Sequence, residues 1–467
     1  MSLVAGANNV GSGGRLNPGQ RKDTIPGRIF ILTRSDRGIL RAMPSPTVVS
    51  GVHRVPGDKS ITHRALMLAA LSPGRSTIHG ALGSLDARSS ARVLRQLGAT
   101  ISPVRPDRSV AVVGHTRLKA PTDTLDCGNS GTTARLLLGI LAAHPFRARV
   151  SGDVSLRRRP MRRVTEPLQS MGATIAAGPE DGLPLAITGG DLRPLHWTLP
   201  VASAQIKSAL LLAGAIGGVS VNLTEPGLSR DHTERLLRHF GFELTRAGQQ
   251  LQLKPTGAFT PFTMQVPGDP SSAAFLVAAA LLAGKGEIRL SSVGLNPTRI
   301  GFLAVLVRMG AAVDILPGEE SLGEPCGDLV ARPARLTATT VTAGEAPGVI
   351  DEIPVLAILA ARAEGTTVFH GLSELRVKES DRLTLLARNL TAVGAHAEVR
   401  GDDLLVTGSE ARYDGRVATE GDHRIAMAFA VLGSQPGARI HVDDPECAAV
   451  SFPRFADCLA ALFTGGR

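Results

Sequence analysis

Aromatic side chains, cysteines and long apolar runs are all scarce in this sequence. Only 3% of its 467 residues are aromatic, namely thirteen Phe, one Tyr and one Trp. Nucleic-acid surfaces usually interleave cations with stacking rings, so their absence argues against a nucleic-acid binder of that kind and leaves only phosphate-backbone contact open. The longest apolar run, Ala273 to Ala283, is far short of the roughly 18 residues that a membrane helix requires. The N-terminus has no apolar stretch of the kind a secretory signal carries. Four cysteines, Cys127, Cys326, Cys447 and Cys458, show neither CxxC nor Cys/His metal spacing. They are expected to be buried thiols in a reducing compartment, which makes a soluble, cytoplasmic protein with no metal the expectation. GxxxxGK[ST] is missing, and so is GxGxxG after a strand, which removes support for nucleotide hydrolysis and dinucleotide binding.

What is present is a moderately apolar chain, 43% hydrophobic and 20% charged, with a net charge of +10. Its length suggests two or three domains, each able to bury a core. Residues 1–45 hold seven basic and two acidic residues, so half of the net charge sits in a tenth of the chain. This segment is expected to be a flexible basic leader, with Met43 as an alternative start.

Two patterns recur. The first, Leu-x-x-apolar-Gly-x-x-(apolar or Ala), occurs at 94–101, 168–175, 237–244, 306–313 and 390–397. Each copy reads as the end of an amphipathic helix, a glycine suited to a left-handed C′ position, and the start of a strand. The second is a nearly all-apolar helix, a small turn and a β-branched strand, with copies at 65–78, 134–150, 208–221, 272–288, 353–368 and 424–440. Their strands are expected to end at 78, 150, 221, 288, 368 and 440. These patterns predict six units, each with one buried and one amphipathic helix, the sixth ending on 455–463 with no strand to follow. Six units exceed one core, so the first three, about 59–266, and the last three, about 267–467, are expected to form two α/β lobes with a ligand cleft between them.

The starts of the six apolar helices carry the chemistry. They read Gly57-Asp58-Lys59-Ser60, Gly128-Asn129-Ser130-Gly131, Ala202-Ser203-Ala204-Gln205, Gly268-Asp269-Pro270-Ser271, Ile350-Asp351-Glu352 and Gly421-Asp422-His423-Arg424. Asp, Ser and Asn here could be ordinary N-caps. Capping does not explain Lys59, Arg64, Lys207 and Arg424, because cations near a helix N-terminus oppose its dipole by roughly 0.3–1 kcal/mol each. Equivalent starts that carry cations point to small polyanionic ligands. Three further clusters add to this. Arg157-Arg158-Arg159 directly precedes Pro160, read as a helix-initiating proline. Ser229-Arg230-Asp231-His232 opens another helix. In Val377-Lys378-Glu379-Ser380-Asp381-Arg382, Lys378 and Arg382 are expected one helical turn apart. Solvated arginines and plain helix ion pairs are the competing readings of these clusters.

Taken together, GDKSITHR, DCGNSGTTARLLLG, RRRPM, ASAQIKSALLLAG, VKESDRL and GDHRIAMAFA resemble, in order from about 46 to 460, the EPSP synthase (3-phosphoshikimate 1-carboxyvinyltransferase) family. The resemblance implies two inverse α/β lobes, each of three βαβαββ units, with residues 46–58 plus 267–467 as the second lobe and 59–266 as the first. It implies transfer of the enolpyruvyl group of phosphoenolpyruvate to the 5-hydroxyl of shikimate 3-phosphate, without metal or cofactor, by a chain expected to be monomeric. By that resemblance Lys59, Ser60, Arg64, Ser203, Gln205, Ser229, Arg230, Asp351 and Lys378 hold shikimate 3-phosphate. Lys59, Asn129, Gly131, Arg159, Gln205, Arg382, His423 and Arg424 surround phosphoenolpyruvate. Asp351 is the base on the attacking hydroxyl, Glu379 the acid on the methylene, and Lys59 contacts both substrates. Gly131, lacking a side chain, implies that glyphosate competes with phosphoenolpyruvate.

Several positions depart from that family's pattern. Thr62 stands for Ser, Ala204 for Ser, His232 for Tyr, and Val450 for a Lys before Ser-Phe-Pro, so Lys207 is expected to compensate electrostatically. The alternatives are the sister enzyme acting on UDP-N-acetylglucosamine, whose Lys-Asn start and mobile-loop Cys are missing here, and a non-enzymatic nucleic-acid binder using the basic leader. Lobes of like charge are expected to stay apart until polyanions bridge them.

Overall fold

The computed structural model describes residues 48–106 and 108–464. The expectation of a basic leader at 1–45 lies outside the described residues. Six apolar helices form the interior: α1 (Lys59–Leu71), α2 (Gly131–Ala142), α3 (Ala204–Gly217), α4 (Pro270–Leu281), α5 (Ile353–Ala360) and α6 (His423–Gly433). They gather into two separate hydrophobic cores. One holds buried residues from Ile61 to Val266, where α2 packs on both α1 and α3. The other holds buried residues from Ala273 to Phe463 together with Val49 and Val55, and there α4, α5 and α6 pack on one another.

Each helix belongs to a repeating sheet unit. The second unit shows the pattern: Leu125–Asp126 runs parallel to Arg147–Ser151, which pairs antiparallel with Leu185–Thr188, which in turn pairs antiparallel with Thr174–Ala176. Five four-stranded sheets share this order, and the sixth unit retains only Asp414–Val417 and Arg439–Val442 before its last helix, Phe455–Thr464. The chain therefore has the mixed α/β architecture that the repeats predicted, in the βαβαββ units that the resemblance implied. Two of the expected strand ends need correction. Val221–Thr224 begins at 221 and Ile288–Gly294 at 288, where strands had been expected to stop. Their apolar residues, Val221, Leu223, Ile288 and Leu290, alternate in burial as period-2 strands do. The five repeated glycines, Gly98, Gly172, Gly241, Gly310 and Gly394, all take φ between 78° and 117° between a helix and its strand.

First strands are exchanged between the two cores. Val52–His53 pairs with Ile288–Gly294 over the second core, whereas Thr263–Gln265 pairs with Gly74–His79 over the first. The chain crosses twice between the cores, at Pro56–Asp58 and at Pro267–Asp269, and the crossings bind each other: Asp58 N donates to Pro267 O at 2.8 Å and Asp269 N to Pro56 O at 2.8 Å.

A second recurring glycine escaped the sequence patterns because it closes or follows the last strand of a unit. A Cβ on Gly114 or Gly189 would lie 2.0 or 2.2 Å from a carbonyl oxygen at the end of that unit's core helix, and one on Gly408 1.6 Å from Ala363 O just beyond it. The following residue then donates its N–H to that helix end: His115 to Ala70 O, Gly190 to Ala142 O and Ser409 to Ala361 O, each at 3.0 Å. The glycine lets the strand approach closely enough to satisfy a terminal helix carbonyl. Gly189→Ala is therefore expected to destabilise the protein by about 1–3 kcal/mol, the range for forced overpacking, as measured by urea unfolding. A change within about 0.5 kcal/mol would contradict this account.

Candidate active site

Where the two cores face each other lies a cleft of about 480 Å³. Its walls are the starts of the core helices. Side-chain capping accounts for four of these starts: Asp58 accepts from Ile61 N, Ser130 from Thr133 N, Asp269 from Ser271 N, and Asp422 from Arg424 N and Ile425 N. Ser203 before α3 and Glu352 before α5 make no side-chain cap bond. Of the sixteen predicted substrate and catalytic residues, fifteen line the cleft: Lys59, Ser60, Arg64, Asn129, Gly131, Arg159, Ser203, Gln205, Ser229, Arg230, Asp351, Lys378, Glu379, His423 and Arg424.

The first-core wall is held by polar contacts. Arg64 donates to Thr233 Oγ1 at 2.7 Å, Ser208 Oγ at 2.6 Å and Ser60 O at 2.9 Å, which fixes its guanidinium at the base of the wall. Arg159 donates to Asn129 Oδ1 at 2.8 Å, and Asn129 donates to Asp153 at 2.7 Å. A Cβ on Gly131 would stand 2.9 Å from Arg135 Nη1 and 3.3 Å from Arg159 Nη1, so glycine keeps space open beside two guanidinium groups.

The second-core wall centres on two carboxylates. Asp351 pairs with Arg230 from the opposite wall and lies 3.8 Å from each of Lys378, Arg382 and Arg424. Burial alone would push its carboxyl up, but Arg424, Arg230, Lys378 and Arg382 outweigh burial and hold it well below the ordinary range. Glu379 behaves alike: burial opposes its charge, and the cations Arg382, Arg159 and Lys59 hold it well below the usual value. Both groups are carboxylates in this charge environment. Beside Glu379, burial lowers His423 to about 4, so this imidazole is neutral at neutral pH.

Four details of the sequence reading are corrected by the geometry. Arg382, expected beside phosphoenolpyruvate, does not line the cleft; it is fully buried behind it, bonded to Asp422 and Glu379. Lys378 and Arg382 share no helix turn, because 373–377 is a short 3-10 helix and Asp381 caps a new helix beginning at Arg382. Pro160 does not initiate the helix after the arginine run, which starts at Arg162. Lys207 lies outside the cleft, fully buried between Glu225 at 3.2 Å and Glu234 at 2.7 Å, so it cannot stand in for a lysine at Val450. Its charge is neutralised by residues from the strand end and helix of its own unit.

The two walls also carry opposite charges where they meet. Arg230 meets Asp351, and Arg163 Nη1 donates to Glu374 at 3.1 Å, so the expectation of like-charged, mutually repelling walls is not met. Cysteine burial is likewise uneven: Cys127 is buried, while the other three are partly exposed, and none forms a disulfide. Among the described residues no helix is long and apolar enough to cross a membrane, and no cluster of His, Cys, Asp and Glu could hold a metal.

Several lining residues were missed. Asp86 pairs with Lys59 Nζ at 2.8 Å, and nothing distinguishes it in sequence from an ordinary first-turn acid. Arg135 donates to Gln205 Oε1 at 2.6 Å, turning that amide toward Thr132, to which it donates at 3.0 Å. An arginine inside an otherwise apolar helix was the available signal for Arg135.

Residues 44–459 match the family model described as EPSP synthase (3-phosphoshikimate 1-carboxyvinyltransferase). Curated relatives named 3-phosphoshikimate 1-carboxyvinyltransferase include one from Gluconobacter oxydans, 46% identical over 91% of this chain and 98% of the relative. Another, from Thermus thermophilus, is 49% identical over 88% of this chain and 95% of the relative. A solved EPSP synthase from Acinetobacter baumannii is similar with a TM-score of 0.81 at 37% identity, covering 91% of this chain and 98% of that one. The enolpyruvyl transferase NikO from Streptomyces tendae shares the fold, with a TM-score of 0.73 at 19% identity and coverage of 90% and 96%.

The neutral imidazoles make a pH prediction. Burial lowers His423 to about 4 and His63, which bonds Ser90 at 2.7 Å, to about 3. In the unfolded chain both protonate below about 6.5, so the unfolded state binds more protons and stability falls as pH falls through that window. Lowering the pH from about 7 to about 5 should cost about 2 kcal/mol per histidine in urea unfolding of the ligand-free protein. His63→Gln should flatten that dependence; an unchanged slope would count against it.

Proposed function

The chain belongs to the EPSP synthase (3-phosphoshikimate 1-carboxyvinyltransferase) family, and from that premise we propose how its cleft performs the family's reaction. The chain transfers the enolpyruvyl group of phosphoenolpyruvate to the 5-hydroxyl of shikimate 3-phosphate, releasing phosphate. One observation carries the residue assignment: Asp351 and Glu379 stand in one cleft, both ionised, each surrounded by cations. Such a site suits two small polyanions whose charges can replace the carboxylates as partners of those cations.

In this reading the first-core wall receives shikimate 3-phosphate. Ser60, Arg64, Ser203, Gln205 and Ser229 take its phosphate, Lys378 orients its ring, and Arg230 moves from Asp351 toward the ligand. Phosphoenolpyruvate lies among Lys59, Asn129, Gly131, Arg159, Gln205, His423 and Arg424, with Arg424 and Arg159 as guanidinium forks for its carboxylate and phosphate. Asp351 accepts the proton of the 5-hydroxyl as that oxygen bonds to C2, and Glu379 delivers a proton to the C3 methylene. The resulting tetrahedral ketal phosphate then loses a C3 proton and its phosphate, restoring the double bond. Arg382, which touches Glu379 and lies 3.8 Å from Asp351, orients the pair from behind rather than binding substrate. The domain division proposed here is 59–266 for the first lobe against 46–58 plus 267–467 for the second.

Glu379 must be protonated to act as an acid, yet the unliganded site holds it ionised. Phosphoenolpyruvate supplies the remedy, since its charges compete for Arg159 and Lys59 and raise the Glu379 pKa. Binding is therefore expected to take up protons near pH 6, seen as different apparent enthalpies in calorimetry with buffers of different ionisation heat. Uptake should vanish in Glu379→Gln; identical enthalpies for the unsubstituted protein would reject the mechanism.

Removing either carboxylate should lower kcat by about 10²–10⁴-fold, the usual contribution of a positioned acid or base. The measurement is phosphate release from phosphoenolpyruvate with Asp351→Asn and Glu379→Gln. Shikimate 3-phosphate and UDP-N-acetylglucosamine are compared as acceptors, and release only with the UDP-sugar would transfer the assignment to the sister reaction.

A further inference from the structure

At the two crossings between the cores, on the lining of the cleft, lies an ion cluster that the reaction scheme does not use. Arg299, 2% exposed, lies between the strand Ile288–Gly294 and the helix Gly301–Arg308. Its Nη2 donates to Asp269 Oδ1 at 2.9 Å and to Ser271 Oγ at 2.9 Å, and it lies 3.6 Å from Asp58 Oδ2. Ser271 in turn donates to Glu352, which neighbours the proposed base Asp351. Asp58, Asp269 and Glu352 are all buried, and Arg299 lies among all three. Burial works against the arginine's charge, but these carboxylates outweigh it and hold the group firmly protonated.

Asp269 has a double task. Its Oδ1 caps its own helix at Ser271 N, 2.8 Å away, while its Oδ2 accepts from Lys59 N at 3.0 Å, the first amide of α1 in the other core. A second-core carboxylate thus fixes the residue whose side chain enters the cleft at the first-core wall. Asp58 faces Asp269 across the crossing, and the two negative charges repel. Only a cation between them allows both to stay charged and in place. Arg299 can do this because its long side chain carries Nη2 to a point where it meets Asp269 and Ser271 at 2.9 Å and lies 3.6 Å from Asp58.

We propose that Arg299 is a positioning residue for Lys59: through Asp269 and Asp58 it ties the starts of α1 and α4 across the crossing and thereby sets the height of Lys59 in the cleft. This rests on the reading above in which Lys59 contacts both substrates.

Two variants of the full chain test it. Arg299→Lys keeps the charge but not the reach that brings Nη2 to Asp269, Ser271 and Asp58. Arg299→Gln combined with Asp58→Asn removes one cation and one anion, and Asn retains the N-cap. Both are expected to fold. Amide exchange at 59–61 should accelerate at least tenfold while that at 131–134, the start of α2, is unchanged. kcat/KM for both substrates should fall at least tenfold, mainly through KM. Unchanged exchange at 59–61 overturns the proposal. So does acceleration spread evenly over both cores, or loss of the fold in both variants, since each outcome makes Arg299 a packing residue only. If the unsubstituted chain releases no phosphate with the two substrates, the functional reading fails, and the exchange comparison still decides the placement of Lys59.

Discussion

Everything in the cleft depends on how a cation-rich cavity is kept stable before its anions arrive. Four cations approach Asp351, and Glu379 is held by Arg382. Without those carboxylates the cations would be partly buried and unpaired, a situation that costs several kcal/mol per charge. In the proposed scheme Asp351 and Glu379 therefore serve twice, as internal counter-ions of the empty site and as proton carriers in the filled one. In that scheme substrate binding would exchange one set of negative partners for another, so that net desolvation stays small while the carboxylates are released for proton transfer. The scheme also explains why Arg382 stays behind the cleft. Its bonds to Asp422 and Glu379 anchor the acid whether or not substrate is bound.

Much of this was legible in the sequence because it is written in local periodicity. The six apolar helices, the five glycines between helix and strand, and the truncated sixth unit all follow from hydrophobic spacing within a few tens of residues. The helix starts could be collected as one site because a repeat makes them equivalent. Partner choice across the fold was not legible. Lys207 reads like Lys59, a cation at the start of an apolar helix, but it is neutralised by Glu225 and Glu234, 18 and 27 residues further along the chain. Lys378 and Arg382 have ideal helical spacing, yet Asp381 caps a helix between them, so they reach Asp351 from different segments. Gly114, Gly189 and Gly408 show their common role only when each is seen against the carbonyls of its core helix.

The repeat also explains why the site is asymmetric although its scaffold is nearly symmetric. α1 and α4 occupy equivalent places, and both follow a Gly-Asp pair. The exchange of first strands brings those two pairs together, so Asp269 caps α1 as well as α4, while Asp58 caps only α1. The two helix starts then diverge in charge. α1 carries Lys59 into the cleft, whereas α4 carries Ser271 and Ser272 and leaves the cation to Arg299 beneath it.

That divergence bears on how the walls can move. A crossing of two backbone segments with reciprocal N–H···O bonds is a hinge with little freedom to slide. A Cβ at Gly57 would lie 1.9 Å from Gly80 O, and one at Gly268 would lie 2.7 Å from Val55. A rotation about the crossing would change the distance between Arg163 and Glu374 or between Arg230 and Asp351 more than that between Lys59 and Asp269, which is bonded at the crossing itself. Contacts at the mouth are exposed or exchangeable, as a moving rim requires, whereas those at the pivot are buried ion pairs. Lys59, bonded at the crossing through Asp269, would keep its place through such a rotation, which is where the proposed scheme requires a residue that touches both substrates.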